Sequence, residues 1–111
     1  KSSIKERQKE EAKIISQHIK QDNLNVFLDG KGENINSVDI SQIISKSSFD
    51  GKDLVFFIGG PDGFDEKIIK VGNEIISFGR VTWPHKLIRI MLLEQLYRGI
   101  TIINNHPYHR N

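Results

Sequence analysis

Cysteine is absent from the chain, which excludes a disulfide framework, a thiolate nucleophile and any zinc site built on sulfur. No stretch reaches the roughly 18 uninterrupted apolar residues that a membrane helix needs. No signal-peptide pattern opens the chain, and no internal repeat or low-complexity linker interrupts it. The expectation is a soluble, cytoplasmic protein. A large excess of one charge is missing too: the formal net charge is +2 over 111 residues. The ligand has therefore to be sought in local patches rather than in overall charge.

The charges that are present are unevenly placed. Residues 1 to 79 carry 11 Lys and Arg against 13 Asp and Glu, whereas residues 80 to 111 carry five (Arg80, Lys86, Arg89, Arg98 and Arg110) against the single Glu94. His85, His106 and His109 share this basic end, which suits an anionic partner.

Hydrophobic periodicity predicts alternating helices and strands. "SIKE" has the form of a capping box at the start of a helix over residues 3 to 20, with Ile4, Ala12, Ile15 and Ile19 on one face. "NVFLDGKG" reads as a buried strand. "SVDISQIISKSS" reads as a helix capped by Ser37, and "DLVFFIGG" as a strand covered on both faces. "FDEKIIKVG" suggests a short helix and "EIISFG" a third strand. The last helix, "PHKLIRIMLLEQLYRGITII", opens at Pro84 and carries the i,i+4 pair Glu94 and Arg98. Its apolar residues surround so much of the circumference that burial on more than one side is expected, with a partner subunit as one cover. The fold class is thus α/β with a mainly parallel sheet flanked by helices, and ligands bind such sheets beyond the carboxyl ends of the strands.

Three segments end there with glycine: "FLDGKG", "FFIGGPDG" and "ISFGR". Glycines after a buried strand allow a ligand to approach the backbone, although on the residues alone a tight turn before a helix is the better explanation. Neither the Walker loop nor the dinucleotide fingerprint is matched. "GRVTWPHKLIR" offers Arg80, Trp83 and His85 before a helix N-terminus; a helix-capping role is the alternative for His85, and a structural salt bridge for Arg89. In the tail, "NNHPYHRN", the H-x-x-H spacing lacks thiolates or a nearby carboxylate, so no metal is expected.

"FFIGGPDG", "TWPHKLIRIMLLEQLYRG" and "NNHPYHR", in this order and spacing, closely resemble the RlmH (YbeA-type) family of the SPOUT methyltransferase superfamily. The resemblance covers nearly the whole chain. It implies transfer of a methyl group from S-adenosyl-L-methionine to N3 of a pseudouridine in large-subunit ribosomal RNA, a C-terminal trefoil knot that holds the cofactor, and a homodimer. Carried over position by position, it implies cofactor contacts at Leu28, Gly59 and the loop Phe78, Gly79, Arg80, Val81, Thr82 and Trp83. Trp83 and Lys86 depart from the family's pattern. His109, Tyr108, Arg110, Arg89 and His85 become the catalytic candidates. The whole chain, 1–111, then forms one such domain, and since family members carry a further strand and helix, about 40 residues, a segment ahead of Lys1 is expected. A non-catalytic RNA-binding module, or a dimeric interaction module of the same fold, is the alternative.

Overall fold

The computed structural model describes residues 3–59, 62–79 and 83–105. Its elements run α1 (Ile4–Ser16), β1 (Leu24–Asn34), α2 (Ser37–Asp50), β2 (Leu54–Ile58), α3 (Glu66–Ile69), β3 (Glu74–Ser77) and α4 (His85–Ile103). The three strands form one parallel sheet in the order β2-β1-β3, so β1 is central.

Alternation along β1 divides the core. Leu24, Val26 and Leu28 face Ile40 and Ile43 of α2 and Leu92 of α4. Phe27 faces the other way, onto Phe64 and Ile68, with Ala12 and Ile15 of α1 and Ile19 packed around them. A strand covered on both faces reads as an unbroken apolar run, and Val26 and Phe27 are both at 0% exposure. Phe27 stacks on Phe57 and meets Phe64 edge-on, each at 4.9 Å between centroids.

The described elements match the expected order, with several corrections. Helix α1 ends at Ser16 rather than at residue 20. The amide of buried Asn25 donates to the carbonyls of Lys20 and Asn23, so this stretch serves the start of β1 and not a continuing helix. Ser37 is not the cap of α2. Asn36 is: its Oδ1 accepts from Asp39 N–H while Asp39 Oδ2 accepts from Asn36 N–H, each 2.9 Å, a reciprocal capping box. The Ser37 hydroxyl instead donates to Gln95 Oε1 across to α4, 2.6 Å.

Among the described residues, helix α4 is covered on one side only. Ile88, Leu92 and Leu96 pack into the core, and Gly99 sits so close to α2 that an added Cβ would lie 2.9 Å from Ile44 Cδ1. On the opposite side Ile90 is 63% and Leu93 66% exposed, with Leu87, Tyr97, Ile100 and Ile103 also open.

Candidate functional site

Strand register brings the glycine-ended segments together. Leu28 pairs with Ile58 on one side and Ile76 on the other. The chain leaves β2 at Gly59 and β3 at Phe78 and Gly79, so both exits flank the end of the buried part of β1. This is the carboxyl edge of the sheet, where α/β proteins bind ligands.

Each exit is held by specific contacts. Within β1, residues 29 to 32 bulge out of register: Leu28 and Glu33 both register with Ile76, and Asn34 with Ser77. Gly32 permits that return, because a Cβ there would stand 2.7 Å from Ile75 C and Ile76 N. At the end of β3, buried Ser77 uses its hydroxyl twice, donating to Gly79 O at 2.8 Å and accepting from Gly79 N–H at 3.1 Å. Gly79 has φ 106°, in the region that favours glycine, and open space surrounds its Cβ position. Beside it, a cleft of about 480 Å³ is bounded by Phe78, Ile35 and Asn36, Ile40, and Ile90 and Met91 of α4.

The turn after β2 has the firmest anchors. Gly59 lies flat against the Phe64 ring, whose atoms would be 3.0 Å from an added Cβ; close packing thus accounts for this glycine. Asp29 Oδ2 accepts from Phe64 N–H at 3.2 Å, and its Oδ1 from Lys31 N–H at 2.8 Å. From the far side, Arg7 Nε reaches Asp62 Oδ2 at 2.9 Å and Arg7 Nη2 reaches Oδ1 at 3.4 Å, while Gln8 Nε2 donates to Asp62 O at 2.8 Å. The guanidinium holds the Asp62 carboxyl below its usual range, chiefly by hydrogen bonding.

Of the candidate site residues, Leu28 is buried at 8% in the core, Gly59, Phe78 and Gly79 are half-buried at the edge, and Trp83 is 37% exposed. Pro84, with no side-chain bond, occupies the N-cap of α4, so His85 does not cap the helix. Its ring turns back to β2, with Nε2 3.4 Å from Ile58 O. Arg89 is exposed, which removes the expected need for a structural salt bridge, since water solvates its charge. The pair Glu94 and Arg98 forms as expected, 3.0 Å apart. Arg80, Val81, Thr82, Tyr108, His109 and Arg110 lie outside the described residues. Asp29, Asp62 and Ser77 were not singled out from sequence, and Gly30 and Gly32, which read as the stop of the first strand, lie within β1, which continues to Asn34. Asp29 directly follows an apolar run and Asp62 precedes a glycine, which are turn signals, but nothing local ties Arg7 to a residue 55 positions away.

Among the described residues no group of three or more His, Asp or Glu is placed to hold a metal, and no helix is long and apolar enough to cross a membrane.

A parallel α/β sheet whose exits converge at its carboxyl edge is matched, over residues 1–109, by the family model described as "Predicted SPOUT methyltransferase". The chain belongs to this family. Among its relatives, proteins named "Ribosomal RNA large subunit methyltransferase H" are 37% identical over 110 residues in Agrobacterium fabrum, 39% over 106 in Bartonella bacilliformis and 46% over 85 in Xylella fastidiosa. These alignments cover 98%, 95% and 77% of this chain, and 69%, 66% and 54% of the relatives. The chain thus spans between about half and about two thirds of their length.

Proposed function

We propose that this protein transfers a methyl group from S-adenosyl-L-methionine to N3 of a pseudouridine in large-subunit ribosomal RNA. The observation that carries the reading is the register of Leu28 between Ile58 and Ile76, which gathers three segments at one edge in a chain of the SPOUT family. The relatives' shared name supports the ribosomal substrate.

The edge suits the cofactor's chemistry. An adenosine asks for apolar walls and backbone donors and acceptors. Leu28 and Phe78 supply the first; the main chain at Gly59, and the lone pair of Gly79 O that Ser77 leaves, supply the second, with room at Gly79 where a side chain would intrude. Bound there, S-adenosylmethionine contributes an electrophilic methyl on a sulfonium. Arg80, Val81, Thr82 and Trp83 complete the loop in this reading.

Methylation at an imide nitrogen removes its proton, and anionic charge grows at the base as that proton leaves. Catalysis then depends on positioning and on cationic stabilisation. Arg89, exposed on the first turns of α4, and Arg110 hold RNA phosphate or that developing charge. His109 or Tyr108 orients the base or relays its proton, and His85 is the second choice. A carbonyl only accepts, so in its contact with Ile58 O the His85 Nε2 carries hydrogen. Nδ1 of the neutral ring is then left as an acceptor.

We extend the proposal to the whole assembly. The open stripe Ile90, Leu93, Tyr97 and Ile100 on α4 repeats at three- and four-residue spacing, as helix partners do, and a second copy of the chain covers it. The chain acts as a single domain whose C-terminal part is threaded into a trefoil knot, an uncommon topology. It works in the cytoplasm on the assembled ribosome or its large subunit. Incubating the protein with tritium-labelled S-adenosylmethionine and large subunits from a strain lacking this modification tests the activity. Label is expected in the ribosomal RNA at a pseudouridine; label confined to another base or to protein contradicts the proposal.

A further inference from the structure

Helix α1 has no fully buried residue, and at residues 4 to 11 only Gln8 and Glu11 are even half-buried. This exposed half nonetheless grips one residue of the turn after β2 in two ways. Arg7 binds the side chain of Asp62 through both carboxylate oxygens, and Gln8 binds its main-chain carbonyl. Together these contacts fix the position of Asp62 and the plane of its following peptide. Gly63, with φ 76°, then reverses the chain, and Phe64 N–H is caught by Asp29. Residues 62 to 64 are held from both sides, by α1 at Asp62 and by Asp29 of β1 at Phe64.

Exposed ion pairs add little to folding stability, so what this clamp specifies is geometry. We propose that Arg7 and Gln8 are positioning residues that preset the backbone of residues 62 to 64, beside Gly59, for S-adenosylmethionine, a role that rests on the methyltransferase reading. They touch neither cofactor nor RNA. Their effect passes through Asp62 to Phe64, whose ring lies against Gly59, and its loss frees residues 62 to 64 to sample conformations that do not bind, which lowers affinity by the fraction of time spent in them.

The test uses the full chain with Arg7→Ala, Asp62→Ala and Arg7→Lys. Amide hydrogen exchange at Gly63 and Phe64 is measured without ligand, and S-adenosylmethionine affinity by calorimetry. In Arg7→Ala and Asp62→Ala, both amides exchange faster and affinity falls about fivefold, at the low end of measured couplings between sites, while the thermal midpoint barely moves. Arg7→Lys recovers part of the affinity. Faster exchange with unchanged affinity overturns the positioning role, as does a drop in affinity matched by a collapse of the thermal midpoint. Wild-type protein that binds no S-adenosylmethionine overturns the methyltransferase reading itself, and the clamp's role with it.

Discussion

The His85 imidazole, first residue of α4, rests with Nε2 3.4 Å from the carbonyl oxygen of Ile58, last residue of β2. This contact ties the start of α4 to the end of β2 and brings a titratable ring to the strand edge. The ring is exposed, so replacing it leaves stability within about 0.5 kcal/mol. In the relay role, His85→Gln lowers the methylation rate at least about tenfold, since positioned acids and bases contribute roughly 10²–10⁴. Single-turnover assays beside urea unfolding check both outcomes.

Gly32 and Gly30 lie two positions apart and respond differently to alanine. At Gly32 a Cβ meets the backbone of β3 at 2.7 Å, whereas at Gly30 nothing lies within 4 Å. Gly32→Ala costs about 1–3 kcal/mol, as overpacking does, because backbone cannot swing away as a side-chain tip can. Gly30→Ala is near neutral. Urea midpoints of the two variants give the comparison.

Asp62 titrates below the ordinary carboxylate value while Arg7 is present, the hydrogen bond from Arg7 being the largest cause. A lowered folded-state pKa means that its stabilising contribution is present above the unfolded value and is lost as pH falls through the folded one. Carbon-13 titration of the carboxyl should therefore show Asp62 low in the wild type and shifted upward in Arg7→Ala. An unchanged titration in the variant contradicts the bridge.

Leu93→Glu places a charge in the middle of the open α4 stripe, where Leu93 is 66% exposed. It removes no core contact, so the monomer stays folded. The wild type sediments as a dimer and the variant as a monomer, because a charge buried unpaired at an interface is expensive. A wild type that is monomeric at tens of micromolar overturns the dimer proposal.

Much of this was legible in the sequence because local rules sufficed. The run "NVFL" reads as a buried strand, and Val26 and Phe27 are indeed buried, to opposite sides. The Glu94 and Arg98 pair was readable from spacing alone. Ser37 was not, because two adjacent polar residues compete for a cap and only the partner of each, Asp39 for Asn36 and Gln95 for Ser37, separates them. Long-range relations were the least visible. Arg7 and Asp62 lie 55 residues apart on elements with no shared periodicity, and the bulge at residues 29 to 32 follows from Gly32 lying against β3. Among the described residues α4 is covered on one side: apolar periodicity reports which residues avoid water, not which molecule covers them.

The central claim, that the sheet's carboxyl edge binds S-adenosylmethionine, is tested most directly by nitrogen-15 NMR during titration with the cofactor. The account predicts saturable shifts concentrated at the amides of Leu28, Gly59, Phe78 and Gly79, with those at the opposite end, such as Gly51 and Gly72, unmoved. Saturable binding whose shifts avoid all three exits, or no binding at millimolar cofactor, would contradict it.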